Sequence, residues 1–236
     1  MTAMELTILM PCLNEANSVA FCVKEALEFL ASREIAGEVL VADNGSADGS
    51  GELAIAAGAR VVTVAEKGYG HAIRGGIRAA GGRYVIVGDC DGSYDFSRLD
   101  QMYDRLRQGY DLVVGNRFAG GIEPKAMPLS HRYLGIPLLS WLGRCRFKVD
   151  VQDFHCGLRG MSRDAAMEAG LQCGGMEFAT EMIGRFSDAG LKIAQVPVYL
   201  RRDMRQGPGH LRTLSDGMRH LLLIAFWKKA KKSADF

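Results

Sequence analysis

Short apolar runs separated by longer amphipathic stretches set the pattern of this chain. Residues 6–11, 38–43, 60–65 and 84–88 are each strand-like, and each is closed by a turn or a polar residue. Between them, apolar positions recur at helical spacing and predict helices over 18–32, with Asn17 or Ser18 as the cap, and over 49–58 and 69–80. Strand and helix alternate through the first hundred residues, the pattern of a parallel sheet covered on both faces. Beyond that the rhythm changes. A helix over 97–107 and a strand over 111–115 precede a Gly/Pro-rich loop at 120–128. A helical stretch over 127–146 has an expected break near Pro137, and a short strand follows at 158–161. Helices over 162–169 and 178–189, a strand over 192–200 and a charged loop at 201–209 lead to a last helix, 211–232, with a basic end. With no repeat and no low-complexity linker, the chain reads as one α/β unit: a body over 1–210 and an amphipathic helix over 211–236 that belongs to it.

Composition narrows the class only a little. A hydrophobic share of 48% and a charged share of 24% are those of an ordinary globular protein, and 236 residues suffice for a substantial core. The formal net charge of +2 gives no reason to expect nucleic acid as a partner. Its distribution says more: from Tyr199 to Phe236 there are nine Lys/Arg against three Asp/Glu, which suits phosphate groups or an anionic membrane surface. The six cysteines form no C-x-x-C pair and no Cys/His cluster, which argues against structural zinc. Scattered thiols and a first strand that starts at once point to a reducing, cytoplasmic setting. The apolar run Leu221–Trp227 is too short to span a bilayer, which takes about 20 residues.

The most chemically pointed segment is Asp89-Cys90-Asp91-Gly92-Ser93-Tyr94-Asp95, at the end of the fourth predicted strand. In an open α/β sheet, ligands bind at the carboxyl ends of the strands. Two carboxylates one residue apart on extended backbone point to the same side. Such a pair suits Mg²⁺ or Mn²⁺ gripping a diphosphate, or else is a turn with helix-capping aspartates.

Four segments together resemble the family 2 glycosyltransferases, in particular the dolichol- and polyprenyl-phosphate mannose and glucose synthases. They are Pro11-Cys12-Leu13-Asn14-Glu15, Asp43-Asn44-Gly45-Ser46-Ala47-Asp48-Gly49-Ser50, the Asp89–Asp95 segment, and Asp153-Phe154-His155-Cys156-Gly157-Leu158-Arg159-Gly160. Each motif alone is weak to moderate; the set, spread over about four-fifths of the chain, is specific. The resemblance implies a GT-A fold, a UDP- or GDP-hexose donor and inversion at the anomeric carbon. It implies that Pro11, Asn14, Glu15, Asp43, Gly45, Lys67, Gly68, Asp89 and Cys90 hold the nucleotide sugar. Asp89 and Asp91 would hold the metal, or Asp91 alone with Asp89 on the ribose. For Asp43 the residues allow two uses, a contact to the base or a cap on the helix near Asp48. The segment Gly68-Tyr69-Gly70 lacks G-x-G-x-x-G spacing and follows the third strand, so a dinucleotide fingerprint is disfavoured.

The acceptor follows from acidity. A phosphate monoester is largely a dianion at neutral pH and attacks without a general base, whereas a hydroxyl needs a carboxylate to take its proton. Arg117 and Arg132 fall near the family's acceptor-phosphate arginines, and Arg201 or Arg202 near a third that closes over the diphosphates. Asp153 is a base, or else orients the acceptor or Arg159. Arg74 and Arg78 are donor contacts or surface charges; Glu177 and Glu181 line the site or a solvated face; His155 is a structural hydrogen-bond partner. The last helix carries Leu211, Leu214, Met218, Leu221, Leu222 and Phe226, then Trp227 and four lysines. That stripe fits the inner face of an anionic membrane, the sheet, or a second copy of the chain. Many of the resembled synthases continue into transmembrane helices that this sequence lacks. Catalysis is therefore expected to rest on Asp91, Arg117 and Asp153, with a polyprenyl phosphate as acceptor. A soluble hydroxyl acceptor, or nucleotide-sugar binding without transfer, stands as the alternative.

Overall fold

The computed structural model describes residues 4–205 and 213–229. Seven strands form one sheet: β1 Leu6–Cys12, β2 Gly37–Asp43, β3 Arg60–Thr63, β4 Tyr84–Val87, β5 Leu112–Asn116, β6 Arg159–Ser162 and β7 Ile193–Pro197. Their order is β3-β2-β1-β4-β6-β5-β7. All pairings are parallel except those of β6, which runs antiparallel to both β4 and β5. The centre of the sheet is dry: every residue of β1, β4 and β5 is buried, as continuous apolar runs in a doubly covered sheet should be.

The helices are α1 Val19–Ser32, α2 Ser50–Ala56, α3 Tyr69–Ala79, α4 Asp100–Arg107, the single turn α5 Arg117–Gly120, α6 Ile136–Phe147, α7 Arg163–Glu168, α8 Phe178–Asp188 and α9 Thr213–Ala225. They cover both faces of the sheet, an α/β architecture of the kind the GT-A resemblance implies. The expected break near Pro137 is absent. Pro137 is the second residue of α6, and the backbone stays helical through Gly135 and Ile136 before it. The irregularity comes earlier, as a π turn over His131–Gly135 that runs directly into α6.

The reversed strand is what assembles a site. Because β6 is antiparallel, its beginning lies beside the ends of β4 and β5: Val87 pairs with Arg159, and Val114 also pairs with Arg159. The ends of β1 and β2 pair at Cys12 and Asp43 on the same edge. All four sequence motifs therefore meet along one rim.

Candidate active site

The Asp89–Ser93 segment is a turn, since β4 already ends at Val87. The two carboxylates are thus brought together by turn geometry and not, as the sequence suggests, by strand alternation. Asp91 is buried, and its Oδ1 accepts from the Ser93 amide at 2.9 Å and the Ser93 hydroxyl at 2.6 Å. Asp89 is half-buried. Burial first, and then the charge of Asp91, push its pKa up to about 6, while a hydrogen bond from Tyr69 opposes the rise. Gly157 lets the carboxylate fit, because a Cβ there would lie 2.5 Å from Asp89 Oδ2. The Gly157 amide donates to Tyr94 Oη at 2.8 Å, which ties this motif to the one carrying Asp153.

Among the described residues no group of three or more His, Cys, Asp or Glu side chains is gathered to hold a metal. The residues present nevertheless fit a hard divalent cation that takes its remaining oxygens from a ligand or water. Two like charges are forced close, and Asp91 Oδ2 already faces a cation, the Arg205 guanidinium, at 3.2 Å.

The expected nucleotide residues form one continuous wall. Cys90 turns inward, its thiol donating to the Pro11 carbonyl at 3.3 Å and joining the ends of β4 and β1. Asn14 adopts a left-handed conformation, accepts from the Ala47 amide at 2.9 Å and donates its own amide to Ser46 Oγ at 2.9 Å. Asp43 Oδ1 accepts from the Ser46 amide at 3.0 Å, so it closes the Asn44–Ser46 turn and does not cap the helix near Asp48. Lys67 Nζ donates to the Asn44 carbonyl at 2.6 Å, and a Cβ on Gly45 (φ 89°) would collide with it. Gly68, at φ 135°, donates its amide to Asn44 Oδ1 at 2.7 Å. Asn44 is the hub of this wall, since its Nδ2 also reaches the Val64 and Glu66 carbonyls. Sequence reasoning passed over it, because its partners lie about twenty residues away and its burial shows only in the fold.

Opposite lies an ion pair. Arg117 Nε meets Asp153 Oδ2 at 2.7 Å and Nη2 meets Oδ1 at 2.8 Å, with the Arg117 amide adding a third bond at 3.2 Å. Asp153 is fully buried and Arg117 nearly so. Burial by itself would lower the Arg117 pKa; the carboxylate overrides it and holds the guanidinium well above its ordinary value. Asp153 thus orients Arg117, not Arg159. Arg159 commits its donors to the carbonyls of Phe154, Cys156 and Ala179 and pins the motif's backbone.

The third expected arginine is misplaced. Arg202 turns to Glu123 and the Pro124 carbonyl (2.6 Å), while Arg201 pairs with Glu25 and Asp95. The arginine that reaches the carboxylate turn is Arg205, which sequence reasoning missed. Arg132 is half-buried and stacks by Tyr133.

Other expectations change too. Glu181 is buried and accepts the Gln172 and Cys173 amides, so it is neither a site wall nor a solvated face. Arg74 donates to the Gln172 carbonyl, and Arg78 is exposed. His155 has no hydrogen-bond partner among the described residues; its ring meets His220 edge-on at 4.4 Å instead. Of the C-terminal stripe, Leu211, the Leu214 side chain and the last two lysines lie outside the described residues. Met218, Leu221, Leu222 and Phe226 face solvent, while His220, Ile224 and Trp227 face the body. Trp227, which follows the stripe, is buried against Phe147 and donates to Asp188 at 2.8 Å.

Residues 7–170 match the family model described as glycosyl transferase family 2. The chain is a family 2 glycosyltransferase. One relative, the low-salt glycan biosynthesis hexosyltransferase Agl6 of Haloferax volcanii, is 36% identical over 217 residues, covering 92% of this chain and 52% of the relative. The transferase therefore spans about half the length of that protein. A dolichyl-phosphate hexose transferase of the same organism is 28% identical over 203 residues, covering 84% of this chain and 83% of its own. Among solved structures, glucosyl-3-phosphoglycerate synthase from Mycobacterium tuberculosis, in complex with Mg²⁺ and uridine diphosphate, superposes with a TM-score of 0.73. The match covers 99% of this transferase and 83% of the synthase at 22% identity, a likeness of fold.

Proposed function

We propose that this transferase moves a hexose from UDP- or GDP-hexose, with inversion and with Mg²⁺ or Mn²⁺, onto a polyprenyl phosphate at an anionic membrane surface. The Arg117–Asp153 pair carries the reading. A hydroxyl acceptor needs a free carboxylate, yet both Asp153 oxygens are committed to Arg117, and to act as a base Asp153 would have to abandon a buried guanidinium. A phosphate dianion needs no base and does need cations. Arg117 is preorganised to be one, with Arg132 a second.

On the donor side, Pro11, Asn14, Glu15, Asp43, Gly45, Lys67, Gly68 and Cys90 make the wall for the nucleoside. Asp89 and Asp91 would hold the cation. When bound, that ion neutralises charge growing on the departing diphosphate. The fold neighbour's Mg²⁺ and uridine diphosphate support this assignment.

For the lipid, the support is a surface. The stretch Pro128–Val149 contains Arg132, Arg144, Arg146 and Lys148 and no Asp or Glu. Leu129, Tyr133, Leu134, Leu138 and Trp141 along it are exposed, as is Phe226 just after the neighbouring α9, with Lys228 and Lys229 following it. An apolar face with a basic surround suits anionic headgroups. The helix that carries this face touches the site through its buried side, where Ser140 Oγ accepts the Phe154 amide next to Asp153. The name of the dolichyl-phosphate hexose transferase relative points the same way.

The test is a panel of nucleotide sugars with Mg²⁺ or Mn²⁺ and with polyprenyl phosphate in anionic vesicles, a soluble phosphorylated acceptor, or none. Nucleoside diphosphate release that depends on the lipid phosphate is expected. Release with soluble acceptors alone would replace the lipid by a soluble acceptor, the chemistry suggested by the fold neighbour.

A further inference from the structure

The segment Arg201–Arg205 lies along the carboxylate turn. Leu200 bridges Tyr94, the Arg201 amide donates to the Ser93 carbonyl at 2.9 Å, and the Met204 amide donates to the Asp91 carbonyl at 2.7 Å. Met204 rests on Gly92, where a Cβ would come within 2.7 Å of its side chain. The segment ends with Arg205 inserted between two acids. Its Nε donates to Glu15 Oε1 at 2.6 Å, and its Nη2 lies 3.2 Å from Asp91 Oδ2. Both acids are buried.

We propose that Arg205 is the resident cation of the donor site, occupying the charge position that the divalent ion takes, so that metal binding is an exchange. This rests on the metal reading given above and deepens it. The physical reason is local. Asp91 Oδ1 is engaged by Ser93, which leaves Oδ2 as the oxygen facing Arg205. A guanidinium and a divalent ion on one carboxylate oxygen repel each other strongly in a partly desolvated site. Entry of the metal therefore displaces the guanidinium, and with it the contact that holds the end of the segment against the turn. Without metal, Arg205 keeps two buried carboxylates paired. The consequence is that metal affinity is held low by an internal competitor.

The test is Mn²⁺ binding without donor, read by the electron paramagnetic resonance of free Mn²⁺ and not by activity. Arg205→Gln removes the charge and is expected to tighten Mn²⁺ at least tenfold. Arg205→Lys keeps the charge and is expected to stay within about threefold of the wild type. Equal or weaker binding by Arg205→Gln overturns the proposal. So does equal tightening in both variants, because shape and not charge would then be responsible. An Asp91→Asn variant separates the two readings. If wild-type binding is detectable and insensitive to Asp91, or if no protein binds Mn²⁺ even with uridine diphosphate, the metal site itself falls and the exchange falls with it. If binding depends on Asp91 but not on Arg205, the metal site stands and the exchange alone is wrong.

Discussion

Arg117 and Asp153 stand 36 positions apart and close a two-pronged ion pair at 2.7 and 2.8 Å, with the carboxylate wholly out of water. Neither partner can be removed without consequence. A buried charge that loses its counter-ion typically costs about 3–5 kcal/mol. Asp153→Ala is therefore expected to lower stability by roughly that amount and to abolish transfer. The double variant Arg117→Met/Asp153→Leu should recover much of the stability and none of the activity. Urea unfolding checks the first part. A double variant as unstable as Asp153→Ala would show that the loss comes from packing and not from an unpaired charge.

Asp91→Ala, assayed with Mg²⁺ or Mn²⁺ present, is expected to reduce turnover at least a hundredfold, which is about 3 kcal/mol of transition-state stabilisation. Steady-state release of nucleoside diphosphate is the readout. Turnover within a few-fold of the wild type would remove Asp91 from the reaction.

Gly157→Ala places a methyl 2.5 Å from Asp89 Oδ2 and 3.2 Å from the Tyr94 ring. The short Asp89 side chain must rotate away, so activity should fall more than tenfold while the sheet stays intact. Circular dichroism and thermal melts distinguish that from unfolding, and a variant with normal activity would mean that Asp89 has no fixed role.

Stability should also fall on mild acidification. His220 is buried, with Nδ1 2.8 Å from Thr180 Oγ1. Burial first, and then the Arg159 charge, lower its pKa to about 4, against the pull of Asp216. An unfolded histidine titrates near 6.5. As pH drops from about 6.5 towards 4, the unfolded chain takes up a proton that native His220 refuses. The stabilisation is complete above pH 6.5 and is lost through that window. Between pH 7 and 5 this one group accounts for about 2 kcal/mol. Burial likewise holds His155 well below its usual range, so it adds to the same loss. Urea titrations at both pH values should show a shallower dependence in His220→Gln, and an unchanged slope would assign the effect elsewhere.

The acid-free apolar face around α6 makes a last expectation concrete. Leu134→Glu/Trp141→Glu is expected to abolish co-flotation with anionic vesicles, with secondary structure unchanged. Retained flotation would move the membrane contact elsewhere, and loss of a dimer instead would assign the face to a second copy of the chain.

The strand-helix alternation and the placing of the first three motifs after strand ends were legible in the chain, because they rest on short-range periodicity and turn chemistry. The GT-A-type fold was implied only by the resemblance of the four motifs taken together. Asn14, Asp43, Gly45, Lys67 and Gly68 were recognised as neighbours of one site. That Asn44 knits them together was not, since its partners at Val64, Glu66 and Gly68 are some twenty residues away. The reading failed where long-range pairing chooses among chemically equal candidates. Arg201, Arg202 and Arg205 are interchangeable in sequence, and only the path of the chain after β7 sends the first to Glu25 and Asp95, the second to Glu123 and the third to Asp91. The last helix failed for a related reason. It is apolar on more than one side, so periodicity could not say which stripe is buried; packing on α6 and α8 buried His220, Ile224 and Trp227 and left Phe226 in solvent. Sequence by itself determined which side chains exist at the rim, because strand ends are set locally. The tertiary structure alone decided which charge neutralises which, because Coulomb pairing depends on distances that no local pattern encodes.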